Sequence, residues 1–223
     1  MSGKLFVSAI SKFALGVILV GALIFWPAGT LAFWRGWLLM GILFIPMLAA
    51  GFVMMAKSPQ LLERRLDAKE KIGTQSVIVK LAGLMFILSF VLAGLGHRLG
   101  WYTLPYGVSI AGAVLFLLAY VLYAEVLREN VYLSRTIEVQ ENQTVVDTGL
   151  YGIVRHPMYS ATLLLFLSMP LVLGSLYALL PMLAYPALII GRLLNEEKLL
   201  EEELPGYREY KGRVKYRLIP FIW

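Results

Sequence analysis

The chain has no cysteine among its 223 residues. That removes disulfides, thiolate zinc sites, cysteine nucleophiles and iron–sulfur clusters together. Histidine is nearly absent: only His97 and His156 occur, so a histidine-rich metal centre is not expected and no metal ligand set is assigned. Charge is scarce, 15% of residues against 59% hydrophobic, where a soluble domain carries about 25%. No Gly-x-Gly-x-x-Gly follows a strand pattern, so a soluble Rossmann-type cofactor domain is not supported. No repeat and no low-complexity tract is present.

In place of these stand long apolar runs, several near the ~20 residues that cross a bilayer. Hydropathy draws spans at about 7–26, 34–55, 77–95 and 106–127, then two shorter runs at 158–173 and 176–193. Gly174 and Ser175 leave too little chain between the last two for a soluble loop, so they form a helical hairpin. The fold class is all-α: a polytopic helical membrane protein with about six transmembrane segments, five being the alternative count, plus cytoplasmic loops and an amphipathic tail. Residues 1–127 make four N-terminal spans. Residues 128–223 make a cofactor-binding region with the hairpin and tail, within one integrated membrane domain. The first span has a basic flank like a signal peptide, but no small-x-small cleavage site precedes Trp34, so a retained anchor is expected.

Orientation follows from lysine and arginine. With the N-terminus inside, eighteen basic residues fall on the cytoplasmic side and only Arg35 and Arg98 on the other. Six spans return the basic C-terminus to the same side, whereas five would strand one basic end outside. The net charge of +6 is thus matched to an anionic leaflet rather than to nucleic acid. Trp26, Phe33, Trp34, Trp37, Trp101, Tyr102 and Tyr106 sit at span ends as an interfacial aromatic belt. The loop 57–76, which mixes both charge signs from Glu63 to Lys71, reads as a solvated or interfacial helix. Thr136 to Gln140 alternates apolar and polar and suits a short extended segment.

Two clusters carry the chemistry. Residues 149–159 read Gly-Leu-Tyr-Gly-Ile-Val-Arg-His-Pro-Met-Tyr. Pro157 suits the first position of a helix, which sets Arg155 and His156 just before a helix N-terminus, where free N–H groups and the dipole favour a carboxylate or phosphate. Tyr151 and Tyr159 could stack on a flat ring or donate hydrogen bonds, and Gly149 and Gly152 permit close backbone approach. A basic loop gripping lipid headgroups is the competing reading. At the far end of the hairpin stand Asn195, Glu196 and Glu197. The two carboxylates are about 100° apart around a helix, so one faces inward while the other faces elsewhere. The hairpin returns to its starting side, so both clusters should line one pocket suited to a zwitterion. The stretch from Glu196 to Leu204 also reads as a surface helix, stopped by Pro205 and Gly206. The tail beyond it, which mixes tyrosine with arginine and lysine, reads as an interfacial lid or anchor.

These residues, followed by Tyr207-x-x-Tyr210 and a final Ile219 and Pro220, resemble the isoprenylcysteine carboxyl methyltransferase family, whose wider group includes membrane phospholipid N-methyltransferases. The resemblance covers residues 130–220. It implies S-adenosylmethionine as cofactor, bound at the cytosolic face by Gly149, Tyr151, Val154, Arg155, His156, Pro157, Tyr159, Asn195, Glu196 and Glu197, and a lipophilic small-molecule or lipid substrate arriving from the bilayer. Arg155 or His156 suits the cofactor carboxylate, Glu196 or Glu197 its ribose or ammonium, and the tyrosines its adenine or sulfonium. A carboxylate acceptor needs no general base, and Arg128, Arg135 or Arg192 could orient it. An amine or hydroxyl acceptor needs one, with Glu129 or Glu197 the candidates. A sterol-type membrane reductase using NADPH, a phospholipid N-methyltransferase and a non-enzymatic scaffold or transporter subunit stay open as alternatives.

Overall fold

The computed structural model describes residues 3–66, 73–134 and 136–223. The acidic and basic residues of the loop from Asp67 to Lys71, and Arg135, therefore lie outside the described residues. In hydrocarbon the backbone must satisfy itself, and the apolar runs do so as helices: α1 (Gly3–Ala28), α2 (Trp34–Lys57), α3 (Pro59–Leu66), α4 (Gly73–Arg98), α5 (Tyr106–Glu129), α6 (Pro157–Val172), α7 (Leu176–Met182), α8 (Tyr185–Glu203) and α9 (Tyr207–Arg213), with a 3₁₀ turn at Gly149–Gly152. No strand occurs among the described residues; the segment expected to be extended at 136–140 is irregular.

Among the described residues five helical stretches are long and apolar enough to cross a membrane: α1, α2, α4, α5 and the α7–α8 pair, Leu176–Glu203. The sixth segment, α6, has 16 residues, a length of about 24 Å. The chain is an integral membrane protein by these lengths and compositions. The last limb of the hairpin differs from the expected single span. It turns at residues 183–184, where Pro186, with no N–H to give, lies in the first turn of α8. Beyond that turn α8 runs unbroken to Glu203, so the predicted span and the predicted surface helix are one element and the Glu pair lies inside it. The limb also leaves its partner: α7 packs mainly on α4, and α8 touches α6 only lightly. The hairpin opens towards the end where α6 begins.

Small residues let the spans approach. A Cβ on Gly94 would stand 2.4 Å from the carbonyl oxygen of Ile24, so α1 and α4 meet backbone to backbone. One on Gly112 would stand 2.8 Å from Leu171 Cβ, which lets α5 lie along α6. Between them Ile24, Leu39, Phe116, Val172 and Leu173 form the fully buried centre.

One end of the bundle is closed by Arg35, whose Nη2 donates to the carbonyl of Leu104 at 2.8 Å and whose guanidinium lies against Gly174. Gly174 takes φ +66°, and Ser175 then caps α7 by accepting from the Ala178 N–H at 3.2 Å. Trp26, Trp34, Trp37, Tyr102 and Tyr106 are exposed at this end, as expected of a belt, and Trp101 is half-buried. Phe33 departs from that expectation. It is buried and stacks on His97 at 4.4 Å between centroids, because the 28–34 turn folds it back over α4.

The opposite end carries the loops. Lys12 of α1 donates to the carbonyl of Leu66 at 2.7 Å, and Arg64 reaches the carbonyl of Val131 at 2.9 Å. The start of α1, the short amphipathic α3 and the segment after α5 are thereby tied together. The predicted helix in the 57–76 loop is α3, for its described part.

Candidate functional site

The hairpin brings the two sequence clusters together, as the topology required. Pro157 is the first residue of α6 and His156 its N-cap. Arg155 and Glu197, 42 residues apart, form a direct ion pair at 2.7 Å with side chains 3% and 4% exposed. Arg217 of the tail binds the other carboxylate oxygen at 2.9 Å, and His156 Nε2 stands 3.3 Å from Oε1. The clusters were expected to face a ligand across a pocket. Instead Arg155, in its floor, and the buried Glu197 neutralise each other, since an isolated buried charge costs far more than a paired one.

The tail completes this floor. Arg155 Nη1 donates to the carbonyls of Val214 and Lys215 at 2.8 and 2.9 Å. The backbone N–H groups of Arg155 and His156 donate to the carbonyls of Tyr216 and Arg217, both at 2.9 Å. Ser160 Oγ donates to the carbonyl of Leu218 at 2.6 Å. The backbone just before α6 is thus held by the C-terminal segment, which is a bound strap rather than a surface anchor.

Above the floor lies a cleft with about 870 Å³ of space, its open mouth included. One wall is α8, which presents Arg192, Glu196, Leu199 and Leu200 at the i, i+4, i+7, i+8 spacing of one helix face, with Leu204 at its C-cap. The second wall is the irregular segment after α5, with Asn130, Tyr132, Ser134, Thr136 and Glu138. The start of α6 and the tyrosines of α9 close the back. Tyr159 bridges the polar end: its hydroxyl donates to Glu196 in a short hydrogen bond and accepts from Arg192 Nε at 3.2 Å. Arg192 Nη1 also donates to Oε1 of the fully buried Gln75, at 3.3 Å. Tyr151 accepts from Asn130 Nδ2 at 3.0 Å, and burial pushes its phenol pKa up, so it stays protonated.

The structure sorts the predicted residues. Tyr151, Arg155, His156, Tyr159, Arg192 and Glu196 line the cleft. Val154 and Pro157 are buried behind it, and Asn195 is exposed on another face of α8. Gly149 does allow a close approach, but to the chain's own Glu129: a Cβ there would stand 2.9 Å from Glu129 Cδ. Glu129 accepts from Thr148 at 2.7 Å and from Arg128 at 2.7 Å, and neither Glu129 nor Arg128 borders the cleft. Gln75, Glu138 and Leu200 were not singled out, and Tyr207 was named only as part of the tail motif. For Leu200 a signal existed in its helical register with Arg192 and Glu196; for Gln75 and Glu138 none was local. Among the described residues no group of three His, Asp or Glu side chains is disposed to hold a metal ion.

A helical membrane protein with a mixed-charge cleft at the loop end of its bundle is the class that fold and site define. Residues 108–205 match the family model for phospholipid methyltransferases. The match runs from the start of α5 to the end of α8, a part of the chain that is similar to this family of membrane methyltransferases. A stretch of 91 residues, 40% of this chain, is 32% identical to the Delta(14)-sterol reductase TM7SF2 of Mus musculus and spans 22% of that protein's length.

Proposed function

We propose that this chain is an S-adenosylmethionine-dependent membrane methyltransferase acting on a lipophilic acceptor. One observation carries the reading. Within the family-matched region, Arg192 and Glu196 hold Tyr159 between them at one end of a cleft whose other end is apolar. The cofactor is built the same way, with a carboxylate, an ammonium and a sulfonium at one end and an adenine ring at the other. When bound, it supplies an electrophilic methyl group.

The chain's own residues do the rest. Arg192 or His156 takes the carboxylate and Glu196 the ammonium. Arg155 and Glu197 do not contact the ligand in this reading; they fix the positions of His156 and the strap. Catalysis comes from positioning and from exclusion of water. Of the base candidates, Glu129 bonds to Thr148 and Arg128, and Glu197 to two arginines with His156 beside it. That favours an acceptor that arrives already deprotonated, a lipophilic carboxylate such as an isoprenylcysteine, because methylating it releases no proton. A phospholipid amine is the second choice. The site end faces the cytoplasm in this reading, on the eighteen-to-two distribution of basic residues.

The likeness to a sterol reductase keeps NADPH as the competing cofactor. A 2′-phosphate needs uncommitted cations, whereas Arg155 is spent on Glu197 and two acidic residues, Glu138 and Glu196, line the cleft. Incubation with methyl-labelled S-adenosylmethionine and host lipid extract should yield a labelled lipid whose ester is released by mild base. No labelled product and no cofactor binding would sink the reading; a base-stable label would move the acceptor to an amine.

A further inference from the structure

The Tyr207-x-x-Tyr210 pair shares α9 and one small apolar cluster with Leu200, Leu204 and Val214. The two phenols do different things. Tyr210 donates to the carbonyl of Tyr151 at 2.7 Å, tying α9 to the 3₁₀ turn. Tyr207 is 4% exposed, it lines the cleft, and its hydroxyl is buried with no hydrogen-bond partner among the described residues. Buried hydroxyls are nearly always satisfied, because leaving one unmade forfeits its hydration for nothing. This one stands where the two ends of the cleft meet. Val145, Leu200 and Leu204 line the apolar side. On the other side the carboxylates of Glu197 and Glu196 are near enough to reinforce what burial does, raising the phenol pKa so that it keeps its proton.

A neutral, desolvated O–H beside an apolar lining recognises a hydrogen-bond acceptor carried on a flat, weakly polar group. We propose that Tyr207 is a specificity-determining donor to the adenosyl moiety of the cofactor, either a ring nitrogen of the base or a ribose oxygen. The base lies against Val145, Leu200 and Leu204. The inference rests on the reading that the cleft takes an adenosyl cofactor. It goes beyond that reading by giving the adenosyl end a place and a donor, and by separating the two tyrosines: Tyr207 serves the ligand and Tyr210 serves the fold. S-adenosylmethionine and NADPH share this moiety, so the test uses both.

The full chain, purified in detergent, is measured without ligand by thermal unfolding and with S-adenosylhomocysteine or NADPH by calorimetry. Tyr207→Phe should leave the ligand-free Tm unchanged or slightly raised, since it removes an unsatisfied group, and should weaken adenosyl-ligand binding by roughly fivefold to tenfold. Tyr210→Phe should lower the Tm by several degrees and change affinity by less than about twofold at a temperature where it is folded. Tyr207→Phe with wild-type affinity, or with a Tm loss matching Tyr210→Phe, overturns the proposal. Wild type binding NADPH but not S-adenosylhomocysteine overturns the methyltransferase reading alone, and the Tyr207 variant is then judged on NADPH. Wild type binding neither overturns both.

Discussion

Replacing Glu197 by alanine should unfold this protein's site before it touches its chemistry. The carboxylate is 4% exposed on its side chain and receives Arg155 Nε at 2.7 Å, Arg217 Nε at 2.9 Å and a His156 contact at 3.3 Å. Truncation leaves the Arg155 guanidinium, 3% exposed, with two strap carbonyls but no anion. Removing one member of a buried pair costs about 3–5 kcal/mol, most of it the penalty of the stranded charge. For a chain of this length that is a fall in Tm on the order of 10 °C. Arg217 is more exposed, at 26% of its side chain, so Arg217→Ala should cost only about 1 kcal/mol. Combined with Glu197→Ala it should add almost nothing, because the partner is already gone. The assay is thermal unfolding of ligand-free protein in detergent for wild type, both single variants, the double variant and an Arg155→Met/Glu197→Leu pair. The last should be more stable than Glu197→Ala, since no charge remains buried. A Tm for Glu197→Ala within about 2 °C of wild type, or an apolar pair no better than the single truncation, would refute the floor assigned to these residues.

Glu196→Gln tests the neighbouring carboxylate: with its Tyr159 contact retained as a neutral bond, the Tm should barely move while S-adenosylhomocysteine affinity falls roughly tenfold or more, and an unchanged affinity removes Glu196 from the site. Gly174→Ala puts a methyl 1.7 Å from Arg35 Nη1 at φ +66° and should cost more than about 2 kcal/mol; a Tm equal to wild type would show that Arg35 moves freely. Arg128, 69% exposed and paired with Glu125 and Glu129, should tolerate alanine with less than about a twofold change in turnover, measured in the methyl-transfer assay; a hundredfold loss would return it to the catalytic set.

Hydropathy and charge alone determined the helical membrane class and the meeting of the two clusters, because a membrane span must be a helix of set length and a hairpin must return to its own side. The helix period also required Glu196 and Glu197 to face different ways. Which one faces the cleft was not in the sequence. It was decided where α8 turns at residues 183–184 and leaves α6 for α4, which fixes the helix's rotation and buries Glu197 against Arg155. The strap was equally illegible: its carbonyls meet Arg155 and His156 some sixty residues away, and backbone groups carry no side-chain signal. The same holds for the two tyrosines of α9, identical in type and a turn apart. Only their tertiary surroundings left one hydroxyl bonded to the fold and the other buried at the cleft.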